Sequence, residues 1–269
     1  MTLASMMSPR SVVSAILACS VKTGCWRAKV GNLATAANTS HCWKRNEPMY
    51  FSVINPASEH VRAAVRDMAH APYGLHQWLW KFFKGDDEAS RDFIFRRHDI
   101  DGLPRVYVVS ARPPVAFSDD WELQTRPYAP LARAGQRLSF VLCANPVISK
   151  RDDAGKSRRH DVVMQAKKSL PPADRPAAAE LVEQTCLAWL QARAARAGFE
   201  LVGATVDAYR QQQANKRSNG APIQFSSVEF SGELVVRDPD AFQQTLLKGL
   251  GHAKAFGCGL MLVKPVAER

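Results

Sequence analysis

Hydrophobic and polar positions along this chain alternate in a way that predicts a repeated order of strands and helices. Met49–Ile54 is a short apolar and aromatic run that reads as a strand. After Asn55-Pro56, a helical stretch from about Ser58 to Ala69 places Val61, Ala64, Val65 and Met68 on one face. Pro72 opens a second helical stretch with Leu75, Leu79, Phe82 and Phe83 at helical spacing, ended by Gly85-Asp86. Two strands follow, Asp92–Arg97 and Arg105–Ala111, joined by a turn at Asp101-Gly102. Residues 115–130 are irregular and hold Pro127 and Pro130, which suits a connection between domains.

The same order then recurs. Gln136–Ala144 is a strand, and Asp174 begins a long helix with Pro176 in its first turn, buried along Ala178, Leu181, Val182, Thr185, Trp189 and Leu190 and closed by Gly198. Phe199–Val206 and Val228–Val236 read as strands, Asp238-Pro239 caps a short helix with Phe242 and Leu246 inward, and Gly259–Pro265 makes the last strand. This β, α, β, β, α, β order is that of the ferredoxin-like fold, an α+β architecture shared with RRM domains: a four-stranded antiparallel sheet carrying helices on one face. The expected organisation is an N-terminal extension over 1–48, one ferredoxin-like domain over 49–133 and a second over 134–269.

Composition sharpens this reading. At 269 residues and 46% hydrophobic the chain can bury substantial cores, and its net charge of +11 points to an anionic partner, nucleic acid being the usual one, or to a solvated basic surface. No stretch approaches the ~20 apolar residues of a membrane span, so no membrane is expected, and a cytoplasmic setting is the default. Residues 1–48 hold six basic residues against the single acid Glu47 and three of the six cysteines. They read as a targeting peptide, a disordered basic arm, or sequence upstream of a natural start at Met49, the last being favoured because the strand pattern begins so abruptly there. Cys143, Cys186 and Cys258 show no C-x-x-C spacing, so neither a disulfide framework nor a metal site is signalled, and no cofactor is expected.

Three features can carry chemistry. Four of the fifteen glycines, Gly249, Gly251, Gly257 and Gly259, crowd into the eleven residues before the last strand. Such a run is either a mobile turn or a surface where a partner approaches bare backbone. It does not match the dinucleotide fingerprint, because the third glycine would fall at Lys254 and the order is helix, glycines, strand. His76 lies in the second helical stretch with Tyr73 one turn before it; the imidazole is a surface or satisfied core histidine, or a proton donor or acceptor with a phenol beside it. Finally, Lys150, Arg151, Lys156, Arg158, Arg159, Lys167 and Lys168 oppose three acids around a turn at Asp152-Asp153-Ala154-Gly155. They form a basic hairpin or loop able to follow a phosphate backbone, or a solvated loop.

The ordered combination of Asn55-Pro56-Ala57-Ser58, Tyr73-Gly74-Leu75-His76-Gln77, Ala144-Asn145-Pro146 with basic residues behind it, and Gly251 to Leu260 resembles the CasE endoribonucleases, the CRISPR RNA-processing subunits of type I-E Cascade. The resemblance spans Met49 to Val266, with His252 standing where the family pattern has proline. It implies tandem ferredoxin-like domains that bind the hairpin of CRISPR repeat RNA and cut without metal at the 3′ base of its stem, by attack of the ribose 2′-hydroxyl. It also implies partnership with other Cascade subunits. By position, His76 would be general acid, base or both, and Tyr73 would help to orient the 2′-hydroxyl. Lys254 would stabilise the transition state or only bind phosphate. The basic segment would contact the stem, with Arg158 and Arg159 foremost. A non-catalytic RNA-binding protein of the same fold is the alternative.

Overall fold

The computed structural model describes residues 48–68, 72–83, 91–151, 155–214 and 223–266, without the side chains of Pro72, Tyr73 and Ala214. The expected extension, but for Pro48, the helix end at Gly85-Asp86 and the turn residues Asp152 to Ala154 lie outside the described residues.

The N-terminal half is built on β1 (Tyr50–Pro56), α1 (Val61–Met68), α2 (Pro72–Trp80), β2 (Phe93–Ile100), β3 (Leu103–Ser110) and β4 (Trp121–Pro127). The C-terminal half follows with β5 (Arg137–Ala144), β6 (Val147–Arg151), β7 (Ser157–Asp161), α3 (Val162–Ser169), α4 (Ala178–Ala194), β8 (Phe199–Ala214), β9 (Ile223–Val236), α5 (Pro239–Lys248) and β10 (Met261–Pro265). The sheets run β2-β3-β1-β4 and β10-β5-β9-β8, each antiparallel with the first strand of its unit in the middle beside the third, which is the ferredoxin-like arrangement.

The two units are dressed differently. In the N-terminal one, both helices fall between β1 and β2, and residues 111–120 carry no helix. β4 also corrects the expectation of an irregular connection over 115–130. It pairs with β1 along its whole length from Tyr50↔Pro127 to Pro56↔Trp121 and completes the sheet edge. Only Trp121 of this strand is buried, so no alternating apolar signal marks it, and its prolyl end is tolerated because an edge strand need not donate on its outer side. In the C-terminal half, β8 and β9 run well past the rest of the sheet: residues 223–227 of β9 pair only with β8, as a projecting two-stranded ribbon.

Strand alternation sorts the side chains into three cores. Phe93 and Phe95 turn toward α1 and α2 with Leu75, Trp78, Leu79 and Phe82. Phe140, Leu142, Phe230 and Leu234 turn toward α4 and α5 with Trp189, Leu190, Phe242 and Leu246. The opposite faces of the sheets meet each other: Phe51, Val53, Ile94, Tyr107 and Val109 pack on Val141, Leu260 and Leu262. At the edge of this seam, buried Arg96 makes an ion pair with Glu229 of the other sheet. The seam fixes where the N-terminal helices stand relative to the C-terminal glycines.

Candidate active site and nucleic-acid interface

α2 is an apolar helix whose inward residues Leu75, Trp78 and Leu79 leave His76 at the margin of the core. The His76 ring is half-buried between Trp80 and Phe93, with centroids 6.2 Å and 5.8 Å away. Its Nε2 accepts a 3.3 Å hydrogen bond from Trp80 Nε1, while Nδ1 is buried without a hydrogen-bond partner. That bond assigns the proton of the neutral ring to Nδ1. Burial, and then the positive charge of Arg91, push the His76 pKa down from 6.5 to about 4. At neutral pH the imidazole is therefore uncharged and ready to accept a proton. Tyr73 lies one turn earlier in α2, its side chain outside the described residues.

The glycine run reaches this place from the other end of the chain. After α5, Gly249 takes φ 73° and the backbone folds through Gly251 into a single 3-10 turn, Lys254–Phe256, entered by Ala253 at φ 56° and left by Gly257 at φ 83°. This turn packs directly on α2 and β2. Lys254 thus joins the His76 side of the seam, and its aliphatic stem crosses Gly259, where a Cβ would meet Lys254 Cγ at 3.3 Å. The Lys254 pKa is lowered by burial first, then by Arg91 and Lys248. Arg91 is lowered by burial as well. Arg91 thus acts on both His76 and Lys254, and Lys248 on Lys254, a gathering of positive charge suited to an anion.

The glycines serve this geometry chiefly through packing. A Cβ on Gly257 would lie 3.2 Å from the Phe95 ring, one on Gly249 3.2 Å from Ile94 Cδ1, and one on Gly251 3.2 Å from the Trp189 ring. Gly249, Gly257 and Gly259 donate their N–H groups to Thr245, Lys254 and Cys143 carbonyls. Their amides are engaged within the protein, which narrows the expectation of a bare backbone cradle to the turn's side chains and to Gly251.

The basic segment is a hairpin, β6 paired with β7, with Gly155 at φ 73° in its turn. Lys150 faces Arg158 and Ser149 faces Arg159 across it, and Lys150, Arg151, Lys156, Arg158 and Arg159 are all exposed. Its base is anchored where Val147 O accepts from Trp189 Nε1 and Arg193 Nη2, and where Asn145 Nδ2 donates to Ser226 O at 2.7 Å. Lys167 and Lys168 belong instead to the last turn of α3, capped at its start by Asp161, and there they complement the helix C-terminus. Burial, Arg159, Lys254 and Arg193 together lower the pKa of His252. Basic and imidazole groups therefore run from the hairpin through His252 and Lys254 to Arg91 and His76, with both imidazoles pushed toward their neutral forms.

Arg91, Lys248 and His252 were not singled out as site residues by the sequence. Nothing in a lone arginine before a strand, or in a lysine in a helix's last turn, marks a site until the fold sets Arg91 near His76 and Lys254, and Lys248 near Lys254. Only His252 stood in a flagged segment.

Residues 49–265 match the family model described as CRISPR associated protein. The CRISPR-associated endoribonuclease Cse3 of Thermus thermophilus is 33% identical over 230 residues, covering 79% of this chain and 97% of the relative. The CRISPR system Cascade subunit CasE of Escherichia coli is 30% identical over 221 residues, covering 81% of this chain and 100% of that protein. A solved structure of Thermus thermophilus Cse3 bound to an RNA representing a pre-cleavage complex superposes with a TM-score of 0.59 at 29% identity, over 81% of this chain and 100% of that one. Together with the paired ferredoxin-like sheets, these likenesses place the chain in the CasE (Cse3) family of CRISPR-associated endoribonucleases.

Proposed function

We propose that this chain binds the stem-loop of CRISPR repeat RNA and cleaves it at the 3′ base of the stem, without metal, using the RNA's own 2′-hydroxyl. It then keeps the mature product as a subunit of Cascade beside the other subunits. The observation that carries the reading is the packing of the 254–256 turn on α2, the helix of neutral His76, with Arg91 acting on both His76 and Lys254. One relative is a named endoribonuclease and another a named Cascade subunit, which supports the same conclusion.

In the reaction, the 2′-hydroxyl proton passes to a base, O2′ bonds to phosphorus, and the P–O5′ bond breaks. O5′ takes up a proton as it leaves, giving a 2′,3′-cyclic phosphate and a 5′-hydroxyl. His76, neutral at rest, accepts the first proton through Nε2 once the ring exchanges Trp80 for substrate; Tyr73 orients the attacking hydroxyl. The incoming phosphate raises the pKa of His76, so the same ring can return its proton to the leaving oxygen. Lys254 neutralises charge that grows on the phosphoryl oxygens. Holding the scissile bond between two domains supplies alignment, which this intramolecular attack needs most.

The basic hairpin holds the stem. Side chains cannot enter the deep, narrow major groove of an A-form duplex along its length, so Arg158 and Arg159 reach it near a helix end. Lys150, Arg151 and Lys156 contact phosphates and set the register. The domain division at residue 133 fits this arrangement, with binding mainly from residues 134–269 and proton transfer from residues 49–133.

Incubation of a repeat hairpin with the protein in EDTA should yield one cut and a cyclic phosphate end detectable by mass. A 2′-deoxy nucleotide at the cleavage site should abolish cutting and leave binding intact. Cutting of the deoxy substrate would remove the proposed nucleophile, and binding without any cutting would favour a pure RNA-binding protein.

A further inference from the structure

The turn that presents Lys254 to α2 has a second side, and that side is the wall of a groove of about 720 Å³. The other walls are the Arg159 end of the hairpin and the projecting β8–β9 ribbon. Its chemistry differs from that of the hairpin. The Phe225 and Phe256 rings meet at 4.6 Å and 31° and are both part-exposed. Gln213 and Gln224, opposite each other in register, present exposed amides beside them. Asp161 lines the same groove: its Oδ1 accepts from Met164 N and Tyr209 OH, while Oδ2 is buried with no hydrogen-bond partner.

A phosphate would use cations and has no need of aromatic faces or paired amides. A nucleobase has a flat face to stack and an edge that mixes donors and acceptors, which amides match in either sense. The carboxylate oxygen left open accepts from an exocyclic amino group. A paired base inside a duplex cannot expose both face and edge, so the occupant must be unpaired.

We propose that this groove holds one unpaired, amino-bearing base from the nucleotide next to the scissile phosphate, swung out of the stack. The inference rests on the cleavage reaction proposed above and adds to it a reason for the position of the cut. An A-form backbone is not aligned for in-line attack by its own 2′-hydroxyl, and drawing one base into the groove unstacks the sugar where attack occurs. The shared wall sets the spacing: Lys254 on one side meets the phosphate, and Phe256 on the other meets the neighbouring base.

The test uses the full-length protein and repeat hairpins with a single abasic sugar placed in turn at each position flanking the scissile bond. Cleavage is read under single-turnover conditions for the wild type and for Phe225→Ala, which removes the ring packed on Phe256 and keeps every residue of the 254–256 turn. Gln224→Ala serves as a second variant, with thermal melts to confirm folding. An abasic sugar at one flanking position should slow the wild type about tenfold or more. Phe225→Ala should slow the native hairpin similarly, and the two changes together should cost no more than either alone. If every flanking abasic hairpin is cut at the native rate, or if the effects simply multiply, the groove holds no base while the nuclease reading stands. If no hairpin is bound or cut at all, that reading fails and the base site falls with it.

Discussion

The groups around His76 and those on the β6–β7 hairpin are charged or chargeable in equal measure, yet they live in opposite surroundings. His76, Arg91 and Lys254 are half-buried, with pKa values pulled down by desolvation and, for His76 and Lys254, by Arg91 as well. Lys150, Arg151, Lys156, Arg158 and Arg159 stand exposed. Charges in the first setting are unscreened and fixed in place, so they act on a reaction; those in the second are screened and mobile, so they act on affinity and registration. Under the proposed function, desolvation, more than the number of charges, would separate the cutting region from the holding region.

That division breaks most visibly at His76. His76→Ala should lower single-turnover cleavage by about 10²–10⁴ while repeat-hairpin affinity stays within about threefold. Cleavage undiminished in the variant would end the role given to this ring. Lys254→Ala should cost about 10² in cleavage, with a smaller loss of binding; an equal loss in both would reduce it to a phosphate contact. The hairpin should show the converse. Arg158→Ala with Arg159→Ala should weaken binding about tenfold, lower the slope of log affinity against log salt by about two, and leave the cleavage rate of bound RNA nearly intact.

Proton linkage gives a subtler measure. Because the folded pKa of His76 is depressed from 6.5 to about 4, the unfolded chain binds the proton more readily between those values. The contribution of this residue to stability is thus full above pH 6.5 and declines as pH falls toward 4. Arg91→Gln removes one of the two depressing causes, so His76 should titrate at higher pH by NMR, with the acidic limb of the cleavage profile moving in step. The smallest effect belongs to the packing glycines: Gly257→Ala, forced to keep φ 83° against Phe95, should lower stability by about 1–2 kcal/mol in a denaturant titration and shift Lys254 enough to slow cleavage.

Much of this organisation was legible before any coordinates. Strands with strong alternation or dense apolar runs, such as β1, β3, β5 and β9, declare themselves, and so does α4 through Leu181, Trp189 and Leu190. β4 did not, because an edge strand with one buried residue has no period to read. α3 was hidden because its eight residues follow a charged segment, so Lys167 and Lys168 read as part of the loop. His76 and Tyr73 stood out as an imidazole and a phenol one turn apart, their roles supplied by the resemblance, and Lys254 as a cation within the glycine run. Arg91 did not, because its influence arises from where the two sheets meet, which no local pattern encodes. The glycines were read as open backbone, whereas their lack of Cβ is taken up by Ile94, Phe95 and Trp189.

The seam between the sheets has a consequence for how this protein comes into being. A chain leaving the ribosome carries α2 and His76 long before it carries the 254–256 turn. The 254–256 turn reaches α2 only when Phe51, Val53 and Tyr107 have met Val141, Leu260 and Leu262. Under the function proposed above, docking of the two halves is what brings the Lys254 turn onto the helix of His76, so cutting would require the whole chain, whereas the basic hairpin belongs to the C-terminal half alone.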